Sequence, residues 1–248
     1  IKASAKFKER SHQTYHAIRL PELNSRLGLN LDVPPPPPPP LPSPNDDPFT
    51  PRPHVINKSP ISVVYLGNSM LERLKTTGSS THLGKLQTAF NAGCGGDTTE
   101  NVLYRLSLGM YDILYQCKNI KFWVLASGTN NLHPKRPFKS SDCDSYRLVL
   151  ETCLRIAPSS KILACDMFRR KDVRDEVLEE SNKILKTVVE DVNRGLVESG
   201  DVKRVVWVEA RGKVGKEMLA DHVHLDERGY EVWDRVLWPL VREVLGKE

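Results

Sequence analysis

The sequence predicts an α/β fold: a parallel sheet of five strands with helices on both faces. Three observations carry this. From residue 61 onward, five short runs rich in Val, Ile, Leu and aromatic residues recur along the chain. Several of them, 61–66 above all, are continuously apolar rather than alternating, as strands buried on both faces are. The stretches between them place apolar residues at helical spacing. Strict alternation of this kind gives parallel strands with crossover helices.

The elements follow in order. Residues 1–57 are unlike the rest and are expected to be a disordered, basic, proline-rich tail and linker, leaving 58–248 as the folded domain. Residues 2–30 are polar without sustained periodicity. Pro34 through Pro40 are seven consecutive prolines, and Leu41-Pro42-Ser43-Pro44 follows. Proline fixes φ and has no N–H, so this stretch is expected to be polyproline II, either a spacer or a ligand for an aromatic groove of SH3 or WW type. Strands are expected at 61–66, 85–91, 120–127, 161–166 and 204–208. Helices are expected at 70–75, 98–108, 142–156, 173–198 and 227–245. The fourth helix carries Val177, Leu178, Leu185, Val188 and Val192 on one face. The last carries Trp233, Leu237, Leu240 and Val244, with Pro239 expected to kink it.

Four stretches carry chemistry. Gly67-Asn68-Ser69-Met70 follows the first strand and opens a helix, which places Ser69 where α/β sheets gather function. Ser69 is a candidate nucleophile if a base reaches it, and otherwise a helix cap. Gly93-Cys94-Gly95-Gly96-Asp97 follows the second strand. Thr98 stands where a dinucleotide loop needs glycine, so that motif fails. Gly96 is either an N–H donor to a developing oxyanion or part of a plain turn. Asp97 and Glu100 have capping-box spacing, which predicts a helix from Thr98. Gly128-Thr129-Asn130-Asn131 follows the third strand, and Asn130 is the candidate side-chain donor, with Asn131 serving the turn. Asp221-His222-Val223-His224 precedes the last helix. The three-residue spacing lets Asp221 orient His224, while His222 is assigned a structural or solvated role.

Composition excludes several classes. The net charge of +5 is too small for a nucleic-acid footprint, and residues 1–58 supply +3 of it. No apolar run approaches the roughly 18 residues of a membrane span. The five cysteines show no CxxC spacing and are odd in number, so neither a zinc site nor a disulfide scaffold is indicated, and reduced thiols in the cytoplasm are expected. The basic, serine-containing start leaves a mitochondrial address as the alternative. His222-x-His224 has no further metal-ligand cluster beside it.

Taken together, Gly67-Asn68-Ser69, Gly93-x-x-Gly96-Asp97, Gly128-Thr129-Asn130 and Asp221-x-x-His224 resemble the blocks of the SGNH (GDSL-type) hydrolase family, over about residues 60–246. Within it, Gly96-Asp97-Thr98-Thr99-Glu100-Asn101-Val102-Leu103-Tyr104-Arg105-Leu106 looks most like the intracellular platelet-activating-factor acetylhydrolase catalytic-subunit group. The resemblance implies a three-layer α/β/α, flavodoxin-like fold and hydrolysis of short-acyl carboxylic esters. It implies Ser69 as nucleophile, His224 as base, Asp221 as its orienter, and an oxyanion hole of the Ser69 and Gly96 N–H groups with the Asn130 side chain. It implies no metal or organic cofactor, a small ester as substrate, and oligomers. One departure stands out: the family usually has Asp where this chain has Asn68. A rival reading is therefore an inactive module of the same fold acting through its proline-rich tail. Acyl-pocket residues are expected around 132–138 and 167–170, and Arg169-Arg170-Lys171 is either a site for an anionic group or a solvated loop.

Overall fold

The computed structural model describes residues 1–29 and 61–246. The proline run and the linker after it lie outside the described residues, as does any SH3- or WW-type role for them. Before the sheet come α1 (Glu9–Thr14) and α2 (Leu20–Leu27), joined by one wide turn of helix over Tyr15–Arg19. The sheet contains β1 (Val63–Gly67), β2 (Ala89–Gly93), β3 (Phe122–Ala126), β4 (Lys161–Cys165) and β5 (Val205–Val208). All neighbours pair in parallel, in the order β2-β1-β3-β4-β5. The connecting helices are α3 (Ser69–Glu72), α4 (His82–Lys85), α5 (Thr99–Arg105), α6 (Tyr111–Gln116), α7 (Ser140–Ile156), α8 (Asp175–Glu198) and α9 (Glu227–Leu245). This is the three-layer, flavodoxin-like arrangement.

Two apolar cores cover the sheet. One joins Val64, Leu66 and Trp123 to α5–α8 and to Leu23 and Leu27 of the N-terminal helices. The other joins Tyr65, Val124 and Leu163 to Met70, Leu83, Trp233 and Leu237. Successive strand residues point to opposite faces, so a strand apolar throughout feeds both cores. That is why β1 is buried at every position.

Four placements differ from the sequence expectation. Residues 2–27, expected as part of a disordered tail, form helices docked on the α5 side of the sheet, with Tyr15, Leu23 and Leu27 almost fully buried. Tyr15, Leu23 and Leu27 do share one face, but over only a few turns, and their burial depends on a surface the rest of the chain supplies. The second strand begins at Ala89 instead of 85. Thr81 caps a short helix there by accepting from Gly84 N–H at 3.0 Å, and Asp234 of α9 accepts from Leu83 N–H at 2.9 Å. The helix after β2 is capped by Thr98 and Asn101 rather than by Asp97 and Glu100. It continues past 108 through a glycine kink at Gly109 into α6. At the C-terminus α9 runs on through Pro239 as one element. Among the described residues no helix is long and apolar enough to cross a membrane.

Candidate active site

The strand order reverses at β1, so the turns after β2, β1 and β3 lie side by side above the sheet's carboxyl edge. They are stitched together through the backbone. Asn68 N–H donates to the Ala126 carbonyl at 3.1 Å, and Cys94 N–H donates to the Gly67 carbonyl at 3.1 Å. Gly67 sits at φ 155°, and a Cβ there would run into the Ala126 carbonyl, so only glycine admits this close approach.

Ser69 is the first residue of α3. The capping role left open to it belongs to Asn68, whose Oδ1 accepts the Met70 N–H at 3.0 Å. The Ser69 hydroxyl is thereby left for other work. Its helix is braced from two sides: Asn91 Nδ2 donates to the Leu71 carbonyl at 2.7 Å, and the Tyr230 hydroxyl donates to the Met70 carbonyl at 2.8 Å. The Asn68 Nδ2, fully buried, has no partner among the described residues.

Asp221 and His224 are brought together as the spacing predicts. Asp221 Oδ1 accepts the N–H groups of Val223 and His224, both at 2.8 Å, which curls the segment into a tight turn. Oδ2 lies 2.7 Å from His224 Nδ1, and His224 Nε2 lies 2.9 Å from Ser69 Oγ. Partial burial pulls the Asp221 carboxyl up. The two N–H donors and the His224 ring outweigh it and hold the group well below the usual carboxylate range. An ionised carboxylate only accepts, so Nδ1 carries the proton, which leaves Nε2 as the nitrogen that can accept from the serine. A chain of this kind can activate a hydroxyl for nucleophilic attack. Arg73 adds a guanidinium 3.7 Å from Asp221 Oδ2. His222 is exposed and takes no part; its carbonyl accepts the Lys171 N–H.

The expected donors line the same edge. Ser69 N–H, at the first helical position, has no intrahelical partner. Gly96 adopts φ +75° in the turn after β2. Asn130 Nδ2 donates one hydrogen to the Asp97 carbonyl at 2.9 Å, which leaves the second available and ties the third turn to the second. Asn131 links the turn to α5: its Oδ1 accepts the Thr99 N–H at 2.9 Å, and its Nδ2 donates to Glu100 at 2.8 Å. Met70, the residue after Ser69, closes with Ala126, Ser127, Met167, Phe168 and Trp233 on a small cavity of about 10 Å³. Asp166 also reaches this cavity, and burial raises its carboxyl to about 6 against three backbone contacts from Ala210 and Arg211.

The basic stretch 169–171 is largely occupied elsewhere. Arg170 donates to the Thr129 carbonyl at 2.8 Å and grips Asp172 through two bonds, and Arg169 donates to the Arg211 carbonyl at 2.9 Å. Residues the sequence reading did not assign hold the glycine turn. Arg105, wholly buried, pairs with Asp97 at 2.7 Å and donates to the carbonyls of Ala92 at 2.6 Å and Gly67 at 3.0 Å. Its signal was an arginine on the apolar face of a helix, between Val102 and Leu106. From the N-terminal helices, Ser11 donates to the other Asp97 oxygen at 2.6 Å, and the buried Arg19 donates to the Gly93 carbonyl at 2.6 Å. Nothing in the local sequence signalled those two.

No family model matches the chain. The platelet-activating factor acetylhydrolase IB subunit alpha1 of Rattus norvegicus is 23% identical over 189 residues, 75% of this chain and 77% of the relative. Among solved structures, a GDSL-like lipase from Bacteroides thetaiotaomicron superposes with a TM-score of 0.51 at 16% identity, covering 73% of this chain and 87% of that one. A carbohydrate esterase family 3 protein from Talaromyces cellulolyticus gives a TM-score of 0.51 at 16% identity, covering 75% and 99%. The two structures share the chain's fold.

Proposed function

We propose that this chain, built on the fold of the SGNH (GDSL-type) hydrolases, is a serine esterase that removes short acyl groups, of acetyl size, from carboxylic esters. One observation carries the reading: Ser69 Oγ, His224 and Asp221 form a continuous hydrogen-bonded chain at 2.9 and 2.7 Å, at the point where the strand order reverses. In the mechanism, His224 Nε2 takes the hydroxyl proton as Ser69 Oγ bonds to the ester carbonyl carbon. The electron pair moves to the carbonyl oxygen, which meets the Ser69 N–H, the Gly96 N–H and the remaining Asn130 hydrogen. Collapse expels the alcohol, which takes its proton from His224, and leaves an acyl-serine. Water, deprotonated by the same imidazole, then releases the acid and restores the hydroxyl.

The short-acyl preference rests on the cavity beside Met70. Room for about one water centre accepts a methyl group and rejects a long chain without rearrangement. The esterase names of the relatives agree with this chemistry. Two measurements test it. In a series of 4-nitrophenyl esters, kcat/KM should fall steeply beyond acetate and propionate; a rise toward octanoate would overturn the acyl assignment. A fluorophosphonate should label wild type once, Ser69→Ala not at all, and His224→Ala orders of magnitude more slowly. His222→Ala should label nearly as wild type. Absence of labelling in wild type would leave the rival, an inactive module of the same fold.

A further inference from the structure

Next to the proposed oxyanion turn lies an open groove of about 450 Å³ between the N-terminal segment and the start of α7. Thr98 and Asn131 form its inner wall, each one residue from a group that ties the two turns together, Asp97 and Asn130. Four cations line it: Lys6, Lys8, Arg136 and Lys139. Its two acids are already committed. Glu100 accepts from Lys6 at 2.6 Å and from Asn131 at 2.8 Å, and Asp142 accepts the Lys139 N–H at 3.1 Å. Burial alone would raise the Glu100 carboxyl, yet Lys6 and Asn131 hold it below its ordinary value, so it stays charged and paired.

That leaves Lys8, Arg136 and Lys139. The carboxylate nearest Lys8 is Asp97, at 3.9 Å, and its oxygens are taken by Arg105 and Ser11. Arg136 and Lys139 form no ion pair among the described residues. Lys8 is also placed by the backbone. Its chain neighbours are anchored, since Lys6 N–H donates to the Glu100 carbonyl at 3.1 Å and Asn101 Nδ2 donates to the Lys6 carbonyl at 2.9 Å. A Cβ on Gly96 would meet Lys8 Nζ at 2.7 Å, so the ammonium sits directly over the turn. Lys139, in turn, is the N-cap of the 17-residue helix α7, whose amino end adds positive potential. Lys8 Nζ also reaches the Gly95 carbonyl at 3.5 Å, so its charge is held in place at long range by the turn, while Arg136 and Lys139 add theirs without a carboxylate partner among the described residues. Charges of one sign in a cleft focus their field on an incoming ligand.

We infer that this groove binds an anionic group, a carboxylate or a phosphate, on the alcohol portion of the ester, with Lys8 and Arg136 as the charges that read it. This rests on the esterase reading above. The acyl side does not carry the anion, because its cavity has room for only a small group and the Asp166 carboxyl lines it. Phe7, 62% exposed and edge-on to Tyr104 at 5.5 Å, gives the groove an apolar wall suited to an aryl or alkyl stem.

The test uses the full chain and three acetate esters: methyl 4-acetoxybenzoate (neutral), 4-acetoxybenzoate (carboxylate) and 4-acetoxyphenyl phosphate. Rates are divided by those of hydroxide hydrolysis to remove leaving-group differences. At low salt the corrected kcat/KM of one or both anionic esters should exceed the neutral one about tenfold, through KM, as charge contacts at a wet surface allow. The larger of the two distinguishes carboxylate from phosphate. Lys8→Gln with Arg136→Gln should lower the anionic-to-neutral ratio about fivefold or more, and 0.5 M salt should do the same. Lys8→Arg should restore it, and Lys183→Gln, exposed on α8, should leave it unchanged. Hydrolysis of all three esters at equal corrected rates, or a ratio that survives the double change, overturns the groove while the esterase stands. If no ester is cleaved and Ser69 does not label, the esterase reading falls, and thermal shifts with 4-hydroxybenzoate and phenyl phosphate decide the groove. Stabilisation lost in the double variant supports it, and no stabilisation overturns it.

Discussion

Asn130 shows how one side chain carries two duties. One amide hydrogen holds the Asp97 carbonyl at 2.9 Å, and the other is proposed to meet the oxyanion. Replacing it with Ala should lower kcat about 10²- to 10³-fold with little change in KM, the usual loss for one such donor. A rise in KM at constant kcat would mean it binds the ground state instead. Asp166 is a second case, where burial competes with hydrogen bonds. Burial raises its carboxyl from 3.8 to about 6 even though Ala210 and Arg211 donate to it. Between about pH 4 and 6 the folded carboxyl keeps a proton that the unfolded chain has lost. Its contribution to stability is therefore present below that window and is lost as the pH rises through about 6. The Asp166 carboxyl carbon should titrate by NMR with a midpoint near 6, and a midpoint below 4 would show that the N–H donors win.

At the scale of elements, the site depends on how closely β1 and β3 end together. Gly67 accepts N–H bonds from Cys94 at 3.1 Å and from Arg105 at 3.0 Å while its Cα faces the Ala126 carbonyl. Gly67→Ala places a methyl against backbone that cannot yield, at a φ that side chains rarely adopt. We expect a loss of about 3 kcal/mol or more in chemical denaturation, or failure to fold. A loss under 1 kcal/mol would mean that the strand ends can part. Arg105 clamps the same junction from α5. Removing one partner of so buried an ion pair costs about 3–5 kcal/mol, because the other is left charged and alone.

The whole molecule includes its first 29 residues. Ser11, Arg19 and the backbone at Lys6 hydrogen-bond to the glycine turn and the start of α5, while Leu23 and Leu27 fill the core on that face. A chain beginning at Asn57 therefore loses core contacts and leaves Asp97 with one partner fewer. It should melt well below the full chain and turn over 4-nitrophenyl acetate more slowly. Ser11→Ala separates the two effects, since it removes only the 2.6 Å bond to Asp97. It should cost about 1–2 kcal/mol and lower kcat more than it raises KM. Equal melting temperatures for the full and shortened chains would show that the segment adds nothing.

The sheet and the Asp221–His224 contact were legible in the sequence because both are written locally. Continuous apolar runs such as 61–66 must be buried on both faces, and Asp221 reaches His224 by curling one turn of backbone. Glycine at 67 and 96 marked turns whose torsions few other residues reach. What the sequence could not show depends on partners distant along the chain. The apolar face of residues 15–27 is short, and it becomes buried only against the core that the rest of the chain builds on that side of the sheet. Strand β2 starts late because Asp234, some 150 residues away, caps α4. Lys8 faces Gly96, and Arg136 and Lys139 share a groove with it, only once the sheet has brought three turns to one edge. Short-range chemistry is set by spacing, whereas the match of charge to charge across the groove is set by which surfaces the two cores bring together.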